Sequence, residues 1–144
     1  MTRIVVGVDG SAAAGRALEF AIEEARLRHA ELQVVHVWHY PLVASTGYAP
    51  PVEAEVYTAL EQAGHELVDD AVAEAQSAGV EAAGTVVEGP VAEALVEAAE
   101  EADLLVVGSR GRGGFAGLLL GSVSQQCAHH ARCAVTIVPR RHDS

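Results

Sequence analysis

Apolar residues follow two rhythms along this chain. Short β-branched runs at Arg3–Asp9 (RIVVGVD), Glu31–Trp38 (ELQVVHVW), Val80–Val87, Asp103–Gly108 and Ala134–Val138 read as five strands. Between them, apolar residues three and four apart read as helices. In Ala12 to about His29, one stripe holds Ala14, Ala17, Leu18, Ala21, Ile22 and Ala25, with Glu19, Glu23 and Arg26 between. Val52–Ala78, Val91–Glu101 and Gly121–Arg132 follow. The punctuation agrees. Ser11 can cap the first helix, Gly79 is a natural stop for the second, Gly89-Pro90 opens the third, and Pro139 ends the last strand. Gly64 interrupts the long second helix and is expected to bend or restart it. His39–Pro51 reads as a loop, with Pro41, Gly47, Pro50 and Pro51. Arg140–Ser144 reads as a frayed tail.

The order βαβαβαβαβ, with short and uniformly apolar strands, predicts an α/β fold: a parallel sheet with helices on both faces. Right-handed crossovers restrict its topology. Ligands of such sheets sit at the carboxyl ends of the strands, where the winding reverses. At 144 residues, a single domain is expected over 1–144. Half the residues are hydrophobic, mostly Ala, Val and Leu, and only 4% are aromatic, which suits helices on a Val-rich sheet. The net charge of -11 repels nucleic acid and anionic membranes, so neither is an expected partner. It also requires that an anionic ligand be held by local donors. Cys127 and Cys133 give no disulfide framework, and a reducing cytoplasm is the expected setting. No signal-peptide pattern precedes the first strand, and no apolar run approaches the roughly 20 residues of a membrane span.

The chemistry concentrates in Leu104–Ser124, LLVVGSRGRGGFAGLLLGSVS, spaced Gly108-x2-Gly111-x9-Gly121-Ser122. A strand opens through glycines onto a helix start. Glycine lets the backbone approach an anion, and helix amino-terminal amides point at it with the positive end of the dipole. The amides and the Ser122 and Ser124 hydroxyls are candidate phosphate ligands, with Arg110 and Arg112 as nearby cations. The bland alternative is a flexible strand–loop–helix connection. The familiar GxxxxGK[ST] loop is absent, and G-x-G-x-x-G does not follow the first strand, where VGVDGS stands. Asp9, at the carboxyl end of that strand, suits a ribose hydroxyl or a metal. It also suits a plain helix-start acid.

These residues resemble the universal stress protein family, specifically its ATP-binding branch. The motif of that branch is G-x2-G-x9-G-[ST], matched without gaps by Gly108, Gly111, Gly121 and Ser122. The resemblance extends through VVGVDGS, VVHVW, DLLVVGSRGRGG, LLLGSVS and CAVTIVP. It implies a five-stranded parallel sheet of order 3-2-1-4-5, Rossmann-like and of the adenine nucleotide alpha hydrolase-like kind. It places Asp9 and Gly108 beside the ribose, Gly7 and Val8 at the base end, and the Val37 backbone against adenine. Gly111, Gly121, Ser122, Val123 and Ser124 would hold the phosphates of ATP, often with a divalent metal such as Mg²⁺ or Mn²⁺. Val107 and Arg112 complete the candidate set. The resemblance also implies a homodimer through the last strand, Ala134–Val138, which as an apolar edge invites pairing. Cyclic AMP is the alternative ligand.

Weaker signals have plainer explanations. Trp38, His39 and Tyr40 fit an edge-of-core cluster better than a base-stacking platform. His39–Pro51 is long enough to act as a lid or to be a plain surface loop. C-x-H-H-x2-C over Cys127, His129, His130 and Cys133 lacks a usual zinc spacing, and Cys127 reads as a core residue. His36 reads as packed or hydrogen bonded. No nucleophile–base pair is evident, so the chain reads as a holder of nucleotide in a stress response. Slow metal-dependent ATP hydrolysis and a ligand-free dimeric interaction module are the rivals.

Overall fold

The computed structural model describes residues 2–38, 54–110 and 121–140. In chain order the elements are β1 (Arg3–Gly7), α1 (Ala12–Arg28), β2 (Glu31–Trp38), α2 (Ala54–Ser77), β3 (Ala82–Glu88), α3 (Val91–Ala98), β4 (Leu104–Gly108), α4 (Ser122–His130) and β5 (Ala134–Val138). The five strands form one parallel sheet of order β3-β2-β1-β4-β5. Alternate residues of each strand face opposite sides. Ile4, Val6, Leu32, Val34, Leu104 and Val106 join Ala17, Ala21 and Ala25 of α1 and Val68, Ala71 and Ala75 of α2 in one core cluster. Val5, Val35, Val37, Leu105 and Val107 join Ala92 and Leu95 of α3 and Cys127 of α4 in the other. Right-handed crossovers give this division. The chain moves one way from β1 to β3, crosses back, and moves the other way from β4 to β5. The winding reverses between β1 and β4.

The described strands depart from uniform apolarity at the margin. β3 is an edge strand whose Ala83, Gly84 and Thr85 are exposed. At the other edge, β5 pairs with β4, and its Ala134 is exposed. The helix does not restart at Gly64, because α2 runs through it from Ala54 to Ser77. Gly64 is buried, and its missing side chain is a packing requirement: a Cβ there would stand 2.7 Å from His36 Cδ2. Gly79, at φ +84°, ends α2 as expected, since a side chain is strained in that conformation. The first turns of α2 overhang the sheet. Tyr57 anchors them, meeting Trp38 edge-on at 4.8 Å and 78° and bonding through its hydroxyl to Glu88. Trp38 is thus a packed residue at the sheet margin, 8% exposed. His39 and Tyr40 lie outside the described residues, as do the other residues of 39–53.

Cys127 is fully buried on the core side of α4, and burial pushes its thiol up to about 11. Half-buried Cys133 is shifted upward as well, mainly by burial. Between the ordinary thiol range and about pH 11, the folded chain keeps the Cys127 proton and the unfolded chain loses it. The stabilisation is therefore complete below the ordinary thiol pKa and is lost as pH rises toward 11. Its slope is at most about 1.4 kcal/mol per pH unit. Urea unfolding followed from pH 8 to 11 is expected to show stability falling with pH, with a shallower fall in Cys127→Ala.

Candidate functional site

β1 delivers its carboxyl end into a tight self-bonded turn. The Val8 N–H donates to Val35 O at 2.9 Å, and the Val8 carbonyl lies 2.7 Å from His36 Nδ1. Asp9 Oδ1 then accepts the Ser11 N–H at 2.8 Å. Gly10 follows at φ +82°, a conformation only glycine adopts without strain. Ser11 caps α1 as expected, its Oγ accepting the Ala14 N–H at 3.1 Å. The amino end of α1 is thus closed by its own chain, with a carboxylate already in the place an anion favours.

β4 arrives beside this turn. Val6 and Val106 are paired, and Gly108 lies two residues on. A Cβ on Gly108 would meet Ala13 C at 2.8 Å, Ala13 Cβ at 2.9 Å and Ala14 N at 2.9 Å, so only glycine lets β4 run against the first turn of α1. The next residue, buried Ser109, donates its N–H to Val138 O at 2.8 Å. Its carbonyl accepts the Gly121 N–H at 2.6 Å and lies 3.0 Å from Ser124 Oγ. The two ends of the segment from Ser109 to Gly121 are joined there. Ser124 Oγ is also 3.0 Å from Gly121 O, and its single proton is shared between the two carbonyls.

The amino end of α4 differs from that of α1. Its N-cap is Gly121, which makes no side-chain capping bond. The N–H groups of Ser122, Val123 and Ser124 have no intrahelical acceptor, as in the first turn of any helix. They carry the positive end of the dipole, an arrangement that suits a phosphate. Ser122 is exposed, Val123 half-buried and Ser124 only 2% exposed. The Ser124 hydroxyl therefore shapes the turn, while the Ser122 hydroxyl faces outward from the core.

The structure thus gathers Gly7, Val8, Asp9, Val107, Gly108, Gly121, Ser122, Val123 and Ser124 at one end of the sheet, around the winding reversal. Val37 stands near the end of β2, paired with Val87, its side chain buried in the α3–α4 core. Gly111 and Arg112 lie outside the described residues. Ser109 was not among the residues singled out from sequence; it acts through its backbone, which leaves no side-chain signal. Among the described residues, no three His, Cys, Asp or Glu side chains group to hold a metal. Cys127 belongs to the core instead. A groove of about 410 Å³ lies at the opposite end of the sheet, among Arg26, His29, Gly79 and Glu81, away from all these groups. A smaller one, about 220 Å³, borders Val8, Gly10 and Ser11 on the α1–α2 face.

The model of the universal stress protein family matches residues 1–139. The chain belongs to the universal stress protein family. A universal stress protein of Mycolicibacterium smegmatis is 36% identical over 140 residues, covering 96% of this chain and 46% of that protein. The chain spans about half the length of the curated relatives it matches first. A solved universal stress protein in complex with cAMP is 32% identical, with a TM-score of 0.72 over 97% of this chain and 98% of that one. A universal stress protein from Archaeoglobus fulgidus in complex with dAMP is 26% identical, with a TM-score of 0.69 over 96% and 98%. The sheet order 3-2-1-4-5 is the Rossmann-like order expected of the family.

The close approach at Gly108 generates a stability test. In Gly108→Ala the new methyl meets backbone atoms of α1, which cannot rotate away as a side chain would. A loss of about 1–3 kcal/mol is expected in chemical denaturation, with far-UV circular dichroism of the folded state unchanged.

Proposed function

We propose that this chain binds an adenine nucleotide across the winding reversal, with ATP as the physiological ligand. The observation that carries this reading is the contrast between two helix starts. α1 is closed by Ser11 and Asp9, whereas α4 presents its first amides behind a glycine cap. Phosphates are directed to Ser122, Val123 and Ser124; Gly111 and Arg112, outside the described residues, join this set on the sequence motif alone. Gly7, Val8 and the Val37 backbone line the base end, and Val107, Gly108 and Asp9 flank the ribose. The cAMP and dAMP complexes of similar proteins support an adenine nucleotide as the ligand class.

Mg²⁺ fits the donors present, because it prefers oxygen ligands and keeps several waters while bridging phosphates. The exposed Ser122 hydroxyl is the protein oxygen at α4 suited to it. Of the hydroxyls described at the site, Ser11 Oγ accepts a helix amide and Ser124 Oγ donates to two carbonyls. In this reading the chain acts as a holder of nucleotide, a regulatory stress-response protein of the cytoplasm. It assembles as a homodimer through the outer edge of β5. Cyclic AMP is the second reading, supported by the cAMP-bound relative.

The test is release and mass-spectrometric identification of any copurifying small molecule, with thermal-shift titrations against ATP–Mg²⁺ and cyclic AMP. Bound ATP or ADP is expected, or a shift specific to ATP that Gly121→Val abolishes by placing a branched side chain where phosphate approaches. A larger shift with cyclic AMP would transfer the assignment to the second reading. Absence of any nucleotide and any shift would overturn both.

A further inference from the structure

His36 touches both the turn that leads into the candidate site and helix α2. Its Nδ1 lies 2.7 Å from Val8 O. A carbonyl only accepts, so Nδ1 carries the proton and donates. That carbonyl belongs to the peptide joining Val8 to Asp9. Peptide units are planar, so a bond to the oxygen orients the whole unit. Asp9 then makes its own bond to Ser11, which begins α1. The His36 bond therefore sets the plane from which the Asp9 turn departs.

The far edge of the ring faces α2. A Cβ on Gly64 would stand 2.7 Å from His36 Cδ2 and 3.3 Å from Nε2, and 3.2 Å from Val86 Cγ1. The helix reaches the ring edge because residue 64 has no side chain. The ring is thus held between the Val8 carbonyl and the buried face of α2, and it cannot yield to α2 without straining its bond to Val8. Gly64 and Val8 are distant in sequence and meet through this one side chain.

We propose that His36 is a positioning residue for nucleotide binding, setting the Val8–Asp9 peptide according to where α2 lies. Movement of α2 toward the sheet is transmitted through the ring to the base and ribose end of the site. This rests on the adenine-nucleotide reading above and adds to it a coupling between that site and α2.

Four variants test it. His36→Leu removes the donor. His36→Asn keeps an amide nitrogen as many bonds from the backbone as Nδ1. Gly64→Ala drives a methyl against the ring. Val68→Ala, one turn further along α2 and 3% exposed, weakens packing over Gly84 and serves as the stability control. Two readouts apply: ATP affinity by calorimetry, and amide hydrogen exchange over Asp9–Ala14 in ligand-free protein. His36→Leu and Gly64→Ala are expected to weaken ATP about five- to tenfold, the worth of one hydrogen bond, and to speed exchange over that segment. His36→Asn is expected to stay near wild type, and Gly64→Ala to lose most of its effect in the His36→Asn background, where the ring is gone. Val68→Ala is expected to lower stability while leaving both readouts near wild type. Wild-type affinity and exchange in His36→Leu would overturn the proposal, as would an equal loss in Val68→Ala. Should the wild type bind no nucleotide, the functional reading fails by itself, and exchange in ligand-free His36→Leu still decides the role of His36.

Discussion

Ser109 joins the two ends of the segment that follows β4. Its carbonyl accepts the Gly121 N–H at 2.6 Å and faces the Ser124 hydroxyl at 3.0 Å, while its own N–H is held by Val138 of β5. Through these bonds the start of α4 is fixed against the sheet end. Without them, an uncapped helix start has no defined place. With them, the amides of Ser122–Ser124 stand beside the end of β4, and Gly108 brings β4 against α1. The helix start that the chain closes for itself and the one it leaves open are thereby brought to the same reversal of winding.

The net charge of -11 sets a constraint on anion binding, and magnitude decides how it is met. At physiological salt the field of exposed acids decays over about 8 Å. Amides in direct contact with an anion, backed by roughly half a positive charge at the helix end, act inside that distance. Local geometry outweighs the global field, which is why the placement of α4 matters more than composition. The same argument explains why the self-closed start of α1 is a poor anion site: Asp9 stands within that short range.

Much of this was legible in the chain, for physical reasons that differ from element to element. β2 and β5 begin and end where the sequence reading placed them, because each is built around a run of β-branched residues that packs well in a pleated sheet. β1 stops at Gly7, two residues before its expected end, because Val8 and Asp9 are drawn into the turn by His36 and Ser11. Ser11 declared itself as a cap by residue type and place. Gly64 reads in sequence as a bend or restart, whereas the helix runs on through it and the reason for the glycine is His36 on another element. Ser109 was invisible because its contribution is a carbonyl, which every residue carries. In the sequence spacing Gly108-x2-Gly111-x9-Gly121-Ser122, Gly108 makes the close approach to α1 and Gly121 stands at the uncapped start of α4.

The central claim is that an adenine nucleotide places its phosphates on α4 and not on α1. Amide shifts in ¹⁵N-labelled protein titrated with ATP–Mg²⁺ test it directly, because both helix starts are read in one spectrum. The expected result is large, saturable shifts at Ser122, Val123 and Ser124, with small ones at Ala12, Ala13 and Ala14. Shifts centred on the α1 amides, with α4 unmoved, would contradict the account.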